Sequence, residues 1–403
     1  MKILHTSDWH LNERQGHVDR QPDIVKRLEE IAGYLDQHQV DVMLVSGDLF
    51  ANTVRLDQAR SAFADVSRIF RPFLLRGGTM IVIGGNHDSE DLFNMCRTAM
   101  ELAAPQEASV DKPKLSGRLY LYDRSAYMTL ANRSGGLVQF VLLPYPFPSR
   151  YLRPDQMNFK TVDERNSIVH QELKNQLERI KTQFVKPEHP TILVSHLHVR
   201  GNRVHSLYHI SESQDVIFDP ADLPLEWAYS AFGHIHLPQF IRGSNRAQYA
   251  GSIDRFDFSE AGDTKSVVLF EVDQSGVKGE PIQLPLNATP LRKIEVCSQA
   301  DVDALVARYT EPQQDIVEVK IIYKPGEDNP DAMRDALEKI FPRWSERRIE
   351  AEGSDYETGN VEGISASYEN VPETVRTYLN AQLEGHVDRD DLLALAEEML
   401  SQL

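Results

Sequence analysis

Residues 81–89 read IVIGGNHDS. An apolar run of strand length stops at two glycines, and Asn86, His87 and Asp88 follow at once. Gly, Asn and Asp are ordinary turn residues, so taken alone the stretch says only that a strand ends. Four other apolar runs end in the same way. KILHT (Lys2–Thr6) leads into Asp8 and His10, DVMLVS (41–46) into Asp48, TILVS (191–195) into His196, and YSAF (229–232) into His234 and His236. Between them the period changes: Ile24, Leu28, Ile31 and Leu35 mark a helix over 23–38, and helices are also expected over 56–70 and 163–184. Strands that are apolar throughout belong to sheets covered on both faces. The fold class is therefore α/β, built in layers.

In open α/β sheets ligands bind beyond the carboxyl ends of the strands, where side chains distant in sequence can converge. Residues two apart in extended chain point to one side, so the D-x-H and H-x-H pairs can each present two ligands. Leaving out His87 and Asp88, these strand ends supply two Asp, one Asn, four His and no Cys. That set suits Mn²⁺, Fe or Zn²⁺ in five- or six-coordinate sites. It is too large for one ion and right for two that share a carboxylate, with Asp48 as the bridge. Asp8, His10, Asp48 and His236 are assigned to one ion, and Asp48, Asn86, His196 and His234 to the other. Gly84 and Gly85 are expected to let the backbone turn sharply beneath them. Two cations ~3.5–4 Å apart clamp a phosphoryl group during in-line displacement. His87 then has a catalytic role, contacting the scissile phosphate and protonating the leaving oxygen, with Asp88 accepting its second ring N–H. In VSHLH, His196 is preferred because it abuts the strand, and His198, on the same side, is its rival.

Charge bounds the partners. The net charge is −18, which argues against a protein that coats DNA without regard to sequence. The acidity is uneven: 25 acidic and 12 basic residues fall in 286–403, leaving 36 against 31 before it. A polyanionic substrate is allowed over the first part, where two divalent ions would nearly cancel the excess, and discouraged over the second. The longest apolar runs are strand-sized, far short of the ~20 residues a membrane helix needs. Cys96 and Cys297 lie far apart, so a disulfide framework is not expected and a reducing, cytoplasmic compartment fits.

The series DxH, GD, GNHD, a lone strand-end His and GHxH resembles the calcineurin-like metallophosphoesterases. That resemblance implies a two-sheet sandwich flanked by helices with a dinuclear metal site. The stretches TSDWHL, VSGDLF, GNHDS, AFGHIHLPQ and YAGSIDRFDFSEAGDTKSVVLFEV are more closely similar to the SbcD-type recombination and repair nuclease subunits. Residue by residue, that family's ligand pattern falls on the positions assigned above, with His87 as the catalytic histidine outside the ligand set. The resemblance implies a Mn²⁺-dependent nuclease, a 3′→5′ exonuclease on duplex ends and an endonuclease on single strands. It also implies a homodimer, nucleoid-associated in the cytoplasm, bound to an SMC-like coiled-coil ATPase of the SbcC type. Where the family often has His or Asp after GDLF, this chain has Ala51, which puts any role carried there in doubt.

The resemblance extends into the remainder. Residues 1–280 form the nuclease domain, and a Pro-rich connector (281–290) opens a small α+β DNA-capping domain over 281–351. An acidic linker (352–370) and two C-terminal helices (371–403) that dock the ATPase follow. Arg14, Arg200, Arg203 and Arg255 are the candidate DNA contacts, and Leu92, Met95, Ala99 and Leu102 align on a helix that the family's dimer would use. Two other readings stay open. The same metals could serve a phosphomonoesterase or a cyclic-nucleotide phosphodiesterase. A metal-dead scaffold predicts lost ligands, whereas all are present.

Overall fold

The computed structural model describes residues 1–52, 54–104, 112–204 and 215–353, together with 379–380, 389, 392–394 and 396. By its contacts the chain forms one unit of Met1–Ile349 and a second of Glu350–Leu403. In the first unit two six-stranded sheets pack face to face. One runs, edge to edge, Gly276–Pro285, Ser266–Asp273, Lys2–Thr6, Val42–Val45, Thr79–Ile83 and Leu119–Tyr122. The other runs Gln239–Phe240, Ala247–Tyr249, Tyr229–Gly233, Thr191–His196, Leu137–Leu143 and Ala126–Ala131.

Four neighbouring strands of each sheet are parallel, so the motif-bearing strands of a sheet all end on one edge. Their registers are level: Thr6 lies opposite Val45, Val45 opposite Val82, and Gly233 opposite His196. Alternate residues of each strand enter different cores. Ile3, Leu44 and Ile81 pack between the sheets against Phe140, Ile192 and Tyr229. Leu4, Val45 and Val82 face outward, under the helices Gln21–Gln37 and Leu56–Leu75. On the far side Val141, Leu193 and Phe232 pack under the helix Val162–Gln183 through Val169, Leu173 and Leu177. Each sheet is covered twice, which is why its strands carry no polar alternation. This is the layered α/β sandwich flanked by helices.

Two strands depart from the sequence reading. Ala126–Ala131 lies on the outer edge of the second sheet, where the sequence predicts no strand. The connector over 281–290 is in its first half the edge strand Gly276–Pro285, paired antiparallel to Ser266–Asp273. Proline cannot donate to a ladder, but an edge strand has one side without a ladder, and Pro281 and Pro285 are accommodated there.

The small unit has the order strand Leu291–Val296, helix Gln299–Arg308, strand Ile316–Tyr323, helix Pro330–Ile340 and strand Trp344–Ala351. Its sheet has Ile316–Tyr323 at the centre and its own core of Val302, Val319, Ile321, Met333, Leu337 and Phe341. It meets the sandwich through Arg343, which pairs with Asp23, and through Gly16, where any Cβ would fall 2.0 Å from the Ser345 carbonyl oxygen. Of Glu350–Leu403, the residues described at 379–380, 389, 392–394 and 396 are helical. Most of the expected acidic linker and ATPase-docking stripe lies outside the described residues. Among the described residues no helix is long and apolar enough to cross a membrane.

Candidate metal centre

The loops beyond the level strand ends are held together before any ligand is considered. The loop after Lys2–Thr6 zips to the loop after Val42–Val45: Asp8 N donates to Gly47 O at 3.0 Å, Trp9 N to Asp48 O at 2.8 Å and Leu11 N to Leu49 O at 3.0 Å. Trp9 is fully buried and stacks on Phe70 with centroids 5.5 Å apart. That anchorage matters because Asp8, His10, Asp48 and His234 have φ of 52°, 47°, 53° and 95°. Such left-handed positions are uncommon for residues with a side chain, cost roughly 1–3 kcal/mol each, and cluster where a fold imposes a functional geometry. The residues two apart therefore do not converge by extended-chain alternation, as the spacing suggested. They converge because left-handed turns aim them.

The glycines also act otherwise than expected. Neither Gly84 nor Gly85 has a positive φ. Gly85 is required by proximity, since a Cβ there would lie 2.0 Å from Asp48 Oδ1. Beneath this loop Arg150, 3% exposed, donates from Nη1 to the carbonyls of Gly84 (3.1 Å), Gly85 (3.0 Å) and Tyr145 (3.2 Å). A buried guanidinium holds the GGNHD turn, and no periodicity or motif points to it.

Eight side chains converge on one space. Ligating atoms of Asp8, His10 and His236 lie within 4.8 Å of one another, as do those of Asp8, Asp48 and His196 and those of His10, Asp48 and His87. Asn86 Oδ1 lies 2.9 Å from His196 Nε2 and 3.0 Å from His234 Nδ1. Asp48 stands between the halves, its Oδ2 3.3 Å from His196 Nε2 and 3.8 Å from His10 Nε2.

The tautomers follow from the outer partners, which can only accept. His196 Nδ1 donates to Ser46 O at 2.6 Å, His236 Nδ1 to Glu260 Oε1 at 2.9 Å, and His234 Nε2 to Asp215 Oδ2 at 2.7 Å. Each neutral ring then turns a lone pair inward. His196 aims its lone pair at the Asp48 carboxylate and the Asn86 oxygen, and His236 aims its own at His10 Nε2, 3.1 Å away. Turning the Asn86 amide over would satisfy two rings, but a carboxylate offers no such remedy. At Asp48 the His196 lone pair faces a carboxylate oxygen, an arrangement that a divalent cation between them resolves and that fits His, Asp and Asn donors.

Without a metal a proton takes that place. Burial would lower the His196 pKa, yet Asp48 beside it raises it to about 9. Burial likewise would raise Asp48, but His196 and His87 hold it well below the carboxylate range. Burial and then His87 push His10 below its ordinary value. Around the rim, burial opposes ionisation of Asp215 and Glu260, and their histidine partners pull both below the usual range.

His87 sits at the mouth of this space. Its backbone N–H donates to Asp48 Oδ1 at 2.8 Å, and its ring lies edge-on to His10 at 4.9 Å. With Asn52, Asn86, Asp88, Ser89, Glu90 and Phe147 it lines an open cavity of about 290 Å³. Asp88 does not have the expected role beside it. Its Oδ2 accepts from Gly85 N (2.8 Å) and Leu49 N (3.2 Å), and its Oδ1 from Phe50 N (2.9 Å). It clips the GD loop to the GNHD loop, and burial, with Asp48 nearby, raises its pKa to about 6. Ala51 is buried, and its N–H donates to Leu11 O at 3.0 Å.

His198 forms a further such group with Asp215 and His234, their ligating atoms within 4.8 Å of one another: its Nδ1 lies 3.1 Å from Asp215 Oδ2, which also serves His234, while Asp215 Oδ1 accepts from the Tyr145 hydroxyl at 2.9 Å. The sequence does not single out Asp215, Glu260 or Tyr145, since each is one charged or aromatic residue in an unpatterned loop. The four arginines do not share one situation. Arg14 and Arg203 are exposed; Arg200 is exposed and pairs with Asp219 at 2.8 Å. Arg255 is half-buried, and its guanidinium donates to the carbonyls of Asp263, Ala288 and Thr289. It ties the GSIDR turn to the connector. On the helix Glu90–Ala103, Met95 and Leu102 are 52% and 82% exposed, while Leu92 packs against the core.

The calcineurin-like phosphoesterase family model matches residues 1–238. Among curated proteins, the chain is 29% identical over 287 residues to the D subunit of the SbcCD nuclease of Bacillus subtilis (strain 168), covering 67% of this chain and 66% of that one. It is 28% identical over 284 residues to the protein of the same name from Escherichia coli (strain K12), covering 67% of this chain and 64% of that one. The match thus spans slightly less than two thirds of each relative. Among solved structures, a dimetal phosphatase from Danio rerio aligns at 12% identity and a TM-score of 0.43, over 71% of this chain and 99% of that one.

Proposed function

Because the chain belongs to the calcineurin-like phosphoesterases, we propose that it is a metal-dependent DNA nuclease, the phosphodiesterase subunit of an SbcCD-like complex that processes DNA ends in repair and recombination. The observation that carries the metal half of this reading is the His196 lone pair aimed at the Asp48 carboxylate, within a group of ligating atoms that Asp8 completes. The nuclease half is supported by two curated relatives named as nuclease subunits.

In this reading Asp8, His10, Asp48 and His236 hold one divalent ion and Asp48, Asn86, His196 and His234 the other, both Mn²⁺. When bound, such a pair supplies an activated water and neutralises the phosphoryl oxygens. The protein's own part is orientation and proton transfer. Ser46, Asp215 and Glu260 fix the three imidazole tautomers. His87, at the cavity mouth, contacts the scissile phosphate and protonates the leaving oxygen. Residues 281–351 form a DNA-capping domain, and 371–403 dock an SMC-like ATPase across the acidic 352–370 linker. The exposed Met95 and Leu102 serve a homodimer contact. Cleavage runs 3′→5′ on duplex ends and endonucleolytically on single strands, at the cytoplasmic nucleoid.

The test is cleavage of linear duplex, hairpin and single-stranded DNA with Mn²⁺, with and without a candidate ATPase, beside hydrolysis of a nitrophenyl phosphate ester. DNA cleavage well above ester hydrolysis supports the reading. Efficient ester hydrolysis with intact DNA would replace it by the phosphomonoesterase.

A further inference from the structure

Behind Glu260, which in the reading above fixes the His236 tautomer, lies a buried lysine that the reading does not use. Glu260 and Lys265 are both 0% exposed and 2.8 Å apart, Nζ to Oε2. Taking two charges out of water is expensive, and a buried ion pair is often no more stabilising than well-packed apolar residues of similar volume. The contacts show what this pair holds. Glu260 Oε1 accepts from His236 Nδ1 at 2.9 Å, and Lys265 Nζ donates to the backbone carbonyl of the same His236, also at 2.9 Å. One residue is gripped at its ring and at its main chain by the two halves of one ion pair. The free oxygen positions of Glu260 are closed by Phe256 N at 3.3 Å and Ser252 Oγ at 3.5 Å, so the carboxylate cannot swing away. Across the cluster His196 has the uncharged Ser46 carbonyl behind it, while His234 has the Asp215 carboxylate.

We propose that Glu260 and Lys265 are the positioning pair of the His236 half of the centre, fixing its imidazole as the Nδ1–H tautomer with Nε2 aimed at His10 while Lys265 holds the His236 main chain. This inference rests on the reading that the cluster holds two divalent ions. Carboxylate–histidine–metal arrangements orient the ligand and raise its donor strength, and losing the outer partner typically weakens metal binding 10–100-fold. Lys265 Nζ lies between the two carboxylates Glu260 (2.8 Å) and Asp263 (3.6 Å) and the His236 carbonyl (2.9 Å).

The experiment uses the full chain and Mn²⁺ alone. Glu260→Gln retains the shape and an acceptor oxygen but removes the charge; Glu260→Gln/Lys265→Met removes both charges of the pair and, with Asp263→Asn added because Asp263 Oδ2 lies 3.6 Å from Lys265 Nζ, serves if the single variant folds poorly. Mn²⁺ titration followed by electron paramagnetic resonance reads the affinity of each ion, and ¹⁵N–¹H imidazole correlations in the metal-free protein read the His236 tautomer. The expected result is one ion weakened roughly 10–100-fold with the other unchanged, and a His236 tautomer mixture in place of the single form. Ile180→Val, in the distant core under the helix Val162–Gln183, should leave both readouts at wild type. Two ions with wild-type affinities and an unchanged tautomer in both Glu260 variants would overturn the inference. A wild-type chain that takes up no pair of ions would instead defeat the parent reading.

Discussion

The metal centre and the small α+β unit follow opposite rules within one compact unit. In the small unit the local preferences agree with the fold. Ser298 caps Gln299–Arg308 by accepting from Asp301 N, Asn329 caps Pro330–Ile340 by accepting from Ala332 N, and an apolar cluster fills the space between helices and sheet. At the strand ends of the sandwich they conflict. Four side-chain-bearing residues sit at positive φ, and lone pairs face a carboxylate. A fold that tolerates such conflict in one place has imposed it, and the sequences around it (Trp9 under the first loop, Arg150 under the third) are the means.

Changes on the two sides of this contrast should separate cleanly. The largest effect belongs to His87. His87→Ser should lower cleavage roughly 10²–10⁴-fold while both Mn²⁺ ions remain. Its ring reaches the His10 and Asp48 ligating atoms within 4.8 Å, so metal analysis decides the matter: loss of an ion would make His87 a ligand. In the small unit, Leu337→Ala should cost roughly 2–5 kcal/mol in denaturant unfolding, as buried Leu truncations do, with Mn²⁺ affinity unmoved. A parallel loss of affinity would erase the distinction between the two regions.

A smaller effect comes from protons. His196 titrates near 9 in the metal-free protein, above its ordinary 6.5. That contribution to metal-free stability is fully present below pH 6.5 and is lost as the pH rises through about 9. Mn²⁺ must displace this proton, so loading at pH 8 should release about one proton, read by calorimetry in buffers of different ionisation enthalpy; no release would mean that His196 is already neutral. The smallest effect is at the surface. Arg203→Ala should reduce the salt slope of DNA binding by about 0.9. Arg255→Ala should leave it unchanged and lower stability instead, because its donors are occupied by backbone carbonyls. Equal slopes for both variants would remove the distinction drawn between them.

These contrasts also explain what the sequence discloses. A buried strand that ends in Asp, His or Asn is visible in one dimension, because the apolar run and the abrupt polar residue are adjacent in the chain. Lys2–Thr6 is legible to the residue on that basis. The residues behind the ligands are not. Asp215 and Glu260 reach His234 and His236 across 19 and 24 positions of chain, and a lone acidic residue in a loop looks the same whether it faces water or an imidazole. Arg255 misleads for the same reason, and the edge strand Gly276–Pro285 is hidden by prolines that only an edge tolerates. Pairing at i and i+2 picks out residues that lie together in the structure, but they are brought there by another geometry, since left-handed φ leaves no one-dimensional trace.

The central claim is that one carboxylate joins two divalent ions in this cleft, and the most direct test is the magnetic coupling between them. Electron paramagnetic resonance of the wild-type chain loaded with Mn²⁺ should show two ions per chain with a spin-coupled signal, and Asp48→Ala should lose both ions together. A single uncoupled ion in the wild type, or one ion held at full occupancy in Asp48→Ala, would contradict the account.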